Sequence, residues 1–557
     1  MTFLTPTIMS GEDWRALELA VARLMLHCGW TGVQDVARSG DKGADILAVR
    51  PSNDGGPGET YLVQVKAVST GAYVGKAAIQ QAVDAQGHYG SKIIVVATNG
   101  DFHGSAHARA KELKQHGFDV RLWNGAFLQG LLGKWPEYQP RRRELRPYQA
   151  RIVERILANY QNGGSKSLFI LATGLGKTVI ASTVADRLIQ QGLKRVLVVC
   201  HATDLAQQLQ REFWVQLSKD VPTRVFMDGA PPVPIDGVNF GLYQTFYNYL
   251  GGIEPDAFDL VIVDEAHHAL ANAFTLCINH LKPKHLIGMT ATPWRGDGGD
   301  IESVFGEPLD RVSLVDGMKM GFLSRVDYRL MCDNINWSEM PKLAKKMVSV
   351  KDLNKRLFLP QRDDAVVDQL LSLKKEIKNP RIAIFSPSIA HAEEFAKKLT
   401  SRGILTANAS VSDRVKRRSI LMDFSAGRIT AITAVDVLNE GIDVPDLNIL
   451  VFLRATHSRR IFIQQLGRGL RLAPGKEKVV VLDFVTDIRR LAAVSALGRE
   501  AKKSSAPDGI ERVWLKGDIV SFSNTKAQAF VDAWLEDVAS LEEADDAEKL
   551  SFPETQP

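Results

Sequence analysis

Residues Leu171 to Thr178 read LATGLGKT, after the apolar run SLFI and before the amphipathic run TVIASTVADRLIQ. A strand, a glycine-rich turn and a helix in that order build a loop whose backbone N–H groups and helix N-terminus face a bound phosphate. Lys177 is expected to reach the β- and γ-phosphates of ATP, and the Thr178 hydroxyl to bind Mg²⁺. The stretch therefore predicts an ATP-binding loop on a parallel sheet, with contacts from Thr173, Gly174, Leu175, Gly176, Lys177 and Thr178.

The run VIVDEAHH, Val261 to His268, ends a second apolar strand with two acids, about 90 residues after the glycine-rich loop. Asp264 is expected to hold Mg²⁺, and Glu265 to orient or deprotonate the attacking water. The letters DE alone would equally suit a strand capped by acids. The order of the two motifs therefore carries the prediction of an ATP hydrolase.

Strand-like runs alternate with helical ones over most of the chain. Between 136 and 325 they are SLFILA, RVLVVC, DLVIVD and HLIGMT, and between 371 and 490 they are RIAIFSPS, ITAITAV, LNILVFL and KVVVLDF. Near-continuous apolar strands separated by helices are typical of doubly wound parallel sheets. We predict two such α/β domains, with a polar connector at 326–370 between them. A C-terminal segment, 491–557, with a helical stretch and an acidic end, follows.

Residues 1–135 form a separate α/β unit, in which the strand-like runs GADILAV and TYLVQVKAV flank the turn-rich PSNDGGPGE. This pattern predicts a hairpin that brings Asp45 beside Gln64, and strand alternation puts Gln64 and Lys66 on one face. Asp45 and the Gln64 carbonyl would bind Mg²⁺, and Lys66 would position water or offset charge during phosphodiester hydrolysis. Glu18, on the first helix, offers another carboxylate. Two strands with polar exposed faces are the alternative interpretation.

Charge is distributed unevenly along the 557 residues. The net charge is +5, but eight acids and one lysine lie from Glu536 onward, which leaves +12 on the rest of the chain. A basic body permits a polyanionic partner, although an ordinary protein with a solvated acidic tail would show the same numbers.

Cysteine spacing and hydropathy exclude several classes of protein. The four cysteines are scattered without a CxxC pair, which favours neither a zinc site nor a disulfide framework. No run of 18 apolar residues is present, and the N-terminus lacks the pattern of a secretory signal. We expect a cytoplasmic protein that spans no membrane.

The run QQLGRGLR, Gln464 to Arg471, lies in the second predicted parallel-sheet domain. Arg468 and Arg471 are three residues apart and would share one face of a helix. An arginine that reaches across a cleft to the γ-phosphate stabilises the charge of the transition state. Without a phosphate loop upstream, a solvated basic helix face would be the simpler interpretation.

In their order along residues 140–490, these runs resemble the motifs of superfamily 2 helicases and translocases. LRPYQ resembles the adenine-sensing element, LATGLGKT motif I, DEAH motif II, TAT at Thr290 to Thr292 motif III, VLNEGIDVP motif V and QQLGRGLR motif VI. The resemblance implies two tandem RecA-like domains with the ATP site between them. It further implies a base-reading residue, two residues that line the nucleotide and two arginine fingers: Gln149, Gly441, Asp443, Arg468 and Arg471.

The same resemblance implies that nucleic acid lies across both RecA-like domains. Backbone contacts would come from CHATDL, from Gln244 and Thr245, and from SPS at Ser386 to Ser388, although each alone is ordinary loop chemistry. LRPYQ with DEAH resembles the branch that holds restriction-enzyme motors and repair helicases, many of which act on duplex DNA.

The N-terminal unit has a resemblance of its own. LELAVARLMLHCGW, SGDKGADILAV, YLVQVKA and KIIVVATNGDFHGSAHARAKE, in this order over residues 12–125, resemble the Mrr-like restriction endonuclease domain of the PD-(D/E)xK nucleases. The wider superfamily more often has Glu where Gln64 stands, whereas the Mrr-like branch carries Gln. The resemblance implies Glu18, Asp45, Gln64 and Lys66 as the catalytic set.

Together these motifs predict an ATP-dependent DNA helicase or translocase joined to a Mg²⁺-dependent DNA endonuclease, in restriction, phage defence or DNA repair. Two alternatives stay open: a DNA motor whose N-terminal domain only binds DNA, and an RNA helicase. The nuclease-like domain and LRPYQ argue against RNA. The sequence predicts no particular protein partner.

Overall fold

The computed structural model describes most of the chain from Phe3 to Phe484. The described residues are 3–36, 43–52, 57–134, 143–201, 203–226, 231–270, 272–291, 301–330, 347–349, 352, 363–435, 447–453, 467, 469–473, 476, 478–484 and 549–551. The predicted C-terminal helical stretch and nearly all of the acidic tail lie outside them, as do Gly441, Asp443 and Arg468. Among the described helices, none has both the length and the apolar composition needed to cross a membrane.

The N-terminal domain is a mixed five-stranded sheet with helices on both faces. Its helices are α1 (Pro6–Ser10), α2 (Trp14–His27), α3 (Lys76–Tyr89), α4 (Gly104–Gln115) and α5 (Gly125–Gly133). Its strands are β1 (Thr31–Asp35), β2 (Ile46–Arg50), β3 (Glu59–Lys66), β4 (Tyr73–Val74), β5 (Ile93–Thr98), β6 (Asp101–Phe102) and β7 (Asp119–Trp123). The order in the five-stranded sheet is β1-β2-β3-β5-β7, antiparallel from β1 to β3 and parallel from β3 to β7. Strands β4 and β6 form a separate parallel pair.

Strand alternation gives this sheet two apolar faces. Val63 of β3 packs in one core with residues of α2, while its neighbour Leu62 packs in another with residues of α3. Such alternation is expected for a sheet that is covered on both sides. It also orients the polar end of β3, where Gln64 and Lys66 share a face.

The first parallel domain contains a seven-stranded sheet in the order β10-β11-β9-β12-β13-β8-β14, parallel throughout. Its strands are β8 (Lys166–Leu171), β9 (Arg195–Cys200), β10 (Thr223–Val225), β11 (Gly237–Leu242), β12 (Leu260–Asp264), β13 (His285–Thr290) and β14 (Pro308–Val312). Its helices are α6 (Pro147–Gln161), α7 (Lys177–Gln190), α8 (Thr203–Trp214), α9 (Tyr243–Asn248), α10 (Asn272–Leu281), α11 (Glu302–Phe305) and α12 (Leu314–Lys319). Parallel strands end at one edge, so the loops after β8 and β12 lie close together, one strand apart.

The second parallel domain contains a six-stranded sheet in the order β15-β21-β20-β17-β19-β18. Its strands are β15 (Arg325–Leu330), β17 (Ile382–Phe385), β18 (Thr406–Asn408), β19 (Ala431–Ala434), β20 (Ile449–Phe452) and β21 (Lys478–Asp483). Its helices are α13 (Asp363–Glu376), α14 (Ile389–Ser401) and α15 (Arg414–Ser425). Strands β16 (Met347–Ser349) and β22 (Lys549–Ser551) form a separate antiparallel pair. One mixed and two parallel sheets confirm the predicted α/β fold class.

Both ends of the predicted connector, 326–370, belong to the second parallel domain. Strand β15 pairs in parallel with β21, and the start of α13 packs Val366 and Val367 into the domain core. β15 reads RVDYRL, an alternation of polar and apolar residues that suits a strand at the edge of a sheet. Because β15 is not a continuous apolar run, its sequence alone does not identify it as a strand of this domain.

The N-terminal domain packs on the first parallel domain through a buried arginine of α2. Arg23 is 2% exposed, and its guanidinium donates to the carbonyl oxygens of Val221 and Ser218 at 2.9 and 3.1 Å. It also lies 4.4 Å over the ring of Phe3. Trp214, the last residue of α8, is buried within the core of the N-terminal domain. This interface is packed like a protein interior.

The N-terminal domain also packs on the second parallel domain, through α15. Met422 of α15 and Ala426, just after it, are buried among residues of α3 and β2. The backbone N–H of Gly58 donates to the carbonyl oxygen of Ala426 at 3.1 Å. The N-terminal domain therefore touches both parallel domains at once.

Replacing Arg23 by methionine is expected to lower the free energy of unfolding. Methionine keeps an unbranched apolar stem but leaves the buried Val221 carbonyl without its donor, which costs about 1–3 kcal/mol. Burial lowers the pKa of Arg23 to about 9, so the guanidinium that would be lost is charged at neutral pH. Urea denaturation followed by circular dichroism would measure the change.

Arg50→Met is the matched control, because Arg50 is exposed and stacks over Trp30 at 4.4 Å. Its loss should cost no more than about 1 kcal/mol. Equal denaturation midpoints for the two variants would contradict the role given to Arg23.

Candidate active sites

The loop between β8 and α7 has the backbone of a phosphate cradle. Gly174 and Gly176 have φ angles of 88° and 84°, in the left-handed region that glycine adopts without steric cost. Gly176 is the N-cap of α7, so the first N–H groups of that helix have no partner inside it. These donors and the adjacent Lys177 can receive a phosphate.

The two acids after β12 lie beside Lys177. Glu265 Oε1 is 3.9 Å from Lys177 Nζ, and the Glu265 N–H donates to Asp264 Oδ1 at 3.0 Å. Glu265 has a φ of 50°, a strained backbone of the kind found at functional sites. Burial raises the pKa of the Asp264 carboxyl above its usual range, and the Glu265 charge adds to the rise. A cation bound by Asp264 and the Thr178 hydroxyl would stabilise the ionised Asp264 carboxylate, so these residues fit Mg²⁺.

His267, the histidine of the DEAH run, connects the two acids to β13. It is buried, and its Nδ1 lies 3.0 Å from Thr290 Oγ1 and 3.4 Å from Glu265 Oε2. Thr290 belongs to the predicted motif III. The histidine therefore connects the predicted water-activating acid to the next strand of the sheet.

Gln149, the predicted base reader, lies against the nucleotide loop. Its Oε1 accepts from the Arg146 N–H at 2.9 Å, and its Nε2 donates to the Leu175 carbonyl oxygen at 2.8 Å. The Tyr148 hydroxyl donates to the same carbonyl at 2.6 Å. Gln149 thus ties the start of α6 to the loop, and its role toward adenine stays a prediction.

The second parallel domain meets the nucleotide loop at Gly467. A Cβ on Gly467 would lie 2.6 Å from the Thr173 Cβ, and one on Gly174 would lie 2.9 Å from the Gly467 carbonyl oxygen. Arg471 Cγ is 3.7 Å from that same position on Gly174. The structure therefore places Arg471 beside the loop, whereas its predicted partner Arg468 lies outside the described residues.

A second candidate site lies at the polar end of the N-terminal hairpin. The Asp45 N–H donates to the Val63 carbonyl oxygen at 2.9 Å. Asp45 Oδ2 accepts from Gln64 Nε2 at 2.5 Å and from the Val65 N–H at 2.6 Å. The hairpin thus brings Asp45 and Gln64 together, and both side chains are buried.

Glu18 and Lys66 lie near this pair. Burial raises the pKa of Glu18 to about 8, and the charge of Asp45 contributes next. Lys66 ends β3 and is half-buried. Across the described part of the chain, it forms no ion pair with a carboxylate. Its ammonium group is therefore not committed to a structural partner there.

The residues at this site fit a divalent metal. Gln64 Oε1 is buried and has no hydrogen-bond partner among the described residues. Amide and carboxylate oxygens are the ligands that Mg²⁺ prefers. In the described ranges no three His, Cys, Asp or Glu side chains are grouped to hold a metal. The Gln64 oxygen would therefore have to complete a set begun by Asp45 and Glu18.

Arg15 and Asp35 belong to this site and were missed from the sequence. Arg15 Nη1 donates to Glu18 Oε2 at 2.6 Å and to Asp35 Oδ1 at 3.0 Å, and Nη2 donates to Asp35 Oδ2. The spacing of three residues between Arg15 and Glu18 on one helix was a usable signal. Asp35 gave none, because it ends a strand that only the fold brings beside α2.

Replacing Arg15 by alanine is expected to lower nuclease activity about 10–100-fold, the usual effect of removing a partner that orients a metal ligand. Glu18 would lose the donor that fixes its carboxylate. Plasmid nicking over a series of Mg²⁺ concentrations would show a higher metal requirement. Arg109→Ala is the control, since Arg109 makes the same i,i+3 pair with Glu112 at 2.7 Å on the outside of the domain. Equal nicking by both variants would refute the assignment.

The predicted nucleic-acid contacts differ in exposure. Gln244 is exposed and donates to Asn248 Oδ1 at 3.1 Å, whereas Thr245 and Ser386 are buried. Ser388 caps α14 by accepting from the His391 N–H at 3.2 Å. In the CHATDL run, Ala202 and the side chains of Thr203 and Asp204 lie outside the described residues. Of these residues, Gln244 and Ser388 are therefore the best placed to contact a nucleic-acid backbone.

Three family models match successive parts of the chain. Residues 9–132 match "Restriction endonuclease", residues 142–295 match "Type III restriction enzyme, res subunit", and residues 363–473 match "Helicase conserved C-terminal domain". The order and extent of these matches agree with the three sheets.

Curated relatives match the chain at low identity. The putative ATP-dependent helicase IRC3 of Saccharomyces cerevisiae is 25% identical over 61% of this chain and 51% of its own length. The type I restriction enzyme EcoAI endonuclease subunit of Escherichia coli is 24% identical over 63% of this chain and 46% of its own. The DNA 3'-5' translocase XPB2 of Sulfurisphaera tokodaii is 23% identical over 62% and 82%. The chain thus spans about half the length of the first two.

Among solved structures, the ATP-dependent type ISP restriction-modification enzyme LlaBIII bound to DNA aligns with a TM-score of 0.49 and 18% identity, over 87% of this chain and 37% of that one. That score is too low to bear on function. The family matches confirm the predicted resemblance: the chain joins an N-terminal domain of the restriction endonuclease type to two domains that match a restriction-enzyme res subunit and a helicase C-terminal domain.

Proposed function

We propose that the chain is an ATP-driven DNA translocase or helicase that is coupled to a Mg²⁺-dependent endonuclease and acts in restriction or phage defence. One observation carries the proposal: a complete phosphate loop with its acid pair and a metal-suited carboxylate–amide pair occur in one chain, in domains that touch. Repair is a second setting, for which the relatives give less support.

In the motor, ATP would bind between the parallel domains. The N–H groups of the Gly174 loop and Lys177 would hold its phosphates, with Mg²⁺ on Thr178 and Asp264. Glu265 would take the proton of the attacking water, since it stands next to Asp264 and within reach of Lys177. Arg471 would cross to the γ-phosphate as charge develops there.

In the nuclease, Asp45, Gln64 and Glu18 would hold Mg²⁺. A bound Mg²⁺ ion polarises the phosphodiester and favours ionisation of water. The Val65 N–H orients Asp45, and Arg15 orients Glu18. Lys66, whose ammonium group has no carboxylate partner in the described residues, would position the attacking water or offset charge on the phosphate.

Duplex DNA is the proposed substrate of both activities. The nuclease-type domain favours DNA over RNA, and duplex is the form on which the resembling motor branch acts. ATP turnover should therefore rise on addition of duplex DNA more than on addition of single-stranded DNA or RNA of equal length. Stronger stimulation by RNA would favour the RNA helicase instead.

The nuclease proposal has a separate test. Methylated and unmethylated plasmid would be incubated with Mg²⁺, with and without ATP, and nicking followed by gel electrophoresis. Cleavage of at least one form that requires Mg²⁺ and increases with ATP is expected. ATP turnover without cleavage in any condition would favour a motor whose N-terminal domain only binds DNA.

A further inference from the structure

The second parallel domain contacts the N-terminal sheet at two points, through Arg418 of α15 and through Arg428, three residues after that helix. The Arg428 guanidinium donates to Thr60 Oγ1 on β3 at 2.8 Å. The Arg418 guanidinium donates to the carbonyl oxygen of Val36, just after β1, at 3.4 Å. These two contacts, at β3 and just after β1, hold the N-terminal sheet against the second parallel domain.

Both contacts lead directly to the candidate metal site. The Val36 N–H donates to the carbonyl oxygen of Asp45 at 2.8 Å, so Arg418 binds a residue whose backbone also pairs with Asp45. Thr60 begins the strand that ends with Gln64 and Lys66. A shift of α15 would therefore act on the backbone at Asp45 and at β3.

In the docked arrangement the site residues bind one another. Gln64 presents its N–H, rather than its carbonyl oxygen, to Asp45 Oδ2. Residues paired in this way must rearrange before they can share a metal ion. The docked state is therefore a restrained state of the site.

The N-terminal domain has a buried interface with each parallel domain. The interface with the first parallel domain contains the buried Arg23. The α15 interface contains the buried Met422 and Ala426, beside the part-buried hydrogen bonds of Arg418 and Arg428. A cavity of about 350 Å³ lies where the three domains meet, and its lining includes Trp30, Thr178 of the nucleotide loop, and Leu421 of α15. Because Leu421 and Ser425 of α15 line this cavity, the helix has space to shift against the N-terminal domain.

Nucleotide binding supplies a reason for α15 to move. Gly467 is in van der Waals contact with Thr173 and Gly174 of the nucleotide loop. A triphosphate held by that loop and reached by Arg471 needs space between the two parallel domains. Its entry would shift the second parallel domain, and α15 with it.

We propose that the α15 contact is a latch that restrains the nuclease site, and that ATP binding opens it by moving the second parallel domain. The inference rests on the proposed function, because it names how the motor regulates the nuclease. Arg418 and Arg428 are latch residues, outside both predicted active sites.

The test compares the double variant Arg418→Ala with Arg428→Ala against Arg417→Ala. Arg417 is the neighbouring arginine, and it binds the Val411 carbonyl oxygen of its own domain at 2.7 Å. The double variant should nick plasmid without ATP at least about fivefold faster than wild type without ATP, the lower end of usual coupling between sites. At saturating ATP its DNA-stimulated turnover should stay within about twofold of wild type, because reciprocal coupling between latch and nucleotide changes the affinity for ATP and leaves the residues of the ATP site in place. Arg417→Ala should behave as wild type.

A substitution on the N-terminal side of the contact tests whether Thr60 and Arg428 act through the same interaction. Thr60→Val removes the acceptor of Arg428 at nearly constant volume, and adding it to Arg428→Ala should give no further increase. Misfolding would lower the rate of nicking, so it would not explain faster nicking by the double variant. Wild type that needs ATP to nick, together with a double variant that needs it equally, would overturn the proposal.

Amide hydrogen exchange tests the latch without a cleavage assay. The amides of α3 and α15 should exchange faster when wild type binds the non-hydrolysable analogue AMP-PNP. Unchanged exchange would overturn the latch even if the N-terminal domain proves not to cut. Absence of nicking with faster exchange would instead support the latch and refute the nuclease.

Discussion

Lys177→Ala is expected to reduce DNA-stimulated ATP hydrolysis by about 100-fold or more, the effect of removing one preorganised charge from the transition state. Lys177 begins α7, directly after the loop in which Gly174 and Gly176 adopt left-handed backbone. Its ammonium group lies between that loop and Glu265. Phosphate release in the presence of duplex DNA would measure the loss.

Two further variants make this result specific. Glu265→Gln keeps the size of the side chain but removes the base, and should cost about 10²–10⁴-fold in turnover. Lys166→Ala changes an exposed lysine at the other end of β8 and should leave turnover unchanged. Hydrolysis that survives in Lys177→Ala would mean that the loop does not bind the phosphates of ATP.

Asp45→Ala is expected to abolish nicking, with a loss larger than the 10–100-fold expected for a residue that only orients a ligand. Asp45 is buried and bonded to the Gln64 side chain and to the Val65 N–H. Alanine removes the carboxylate that would bind the metal and leaves both donors without their acceptor. Conversion of supercoiled plasmid to the open circle, at saturating Mg²⁺, would measure the loss.

The chain offers a close control for this variant. Asp84 accepts from Gln80 Nε2 at 2.9 Å on the exposed side of α3, so Asp84→Ala breaks an aspartate–glutamine pair away from the site. It should nick as wild type. Lys66→Ala should lose nicking while ATP turnover persists. Equal nicking by Asp45→Ala and Asp84→Ala would refute the nuclease assignment.

Much of the fold follows from local pattern in the sequence. The apolar runs RVLVVC and DLVIVD become neighbouring parallel strands β9 and β12, because near-continuous apolar strands need helices on both faces. The alternation in TYLVQVKAV correctly indicates a hairpin partner for β2 and a shared face for Gln64 and Lys66. The strand character of each run and the hairpin depend on residues close together in the chain, whereas the pairing of β9 with β12 joins distant residues.

Features that depend on distant contacts did not follow from the sequence. Arg23 lies on α2 among apolar residues and gives no sign that it binds carbonyl oxygens nearly 200 residues away. Arg418 on α15 and Arg428 just after it have the sequence pattern of ordinary solvated charges, although both contact the N-terminal domain. Asp35 joins the candidate metal site only because β1 pairs with β2.

The central claim is that one chain uses ATP hydrolysis to control DNA cleavage. The most direct measurement is the rate of plasmid nicking by wild type and by Lys177→Ala, each with and without ATP at constant Mg²⁺. The account predicts that ATP accelerates nicking by wild type and has no effect on Lys177→Ala. Nicking by wild type that is equally fast with and without ATP, or acceleration that persists in Lys177→Ala, would contradict it.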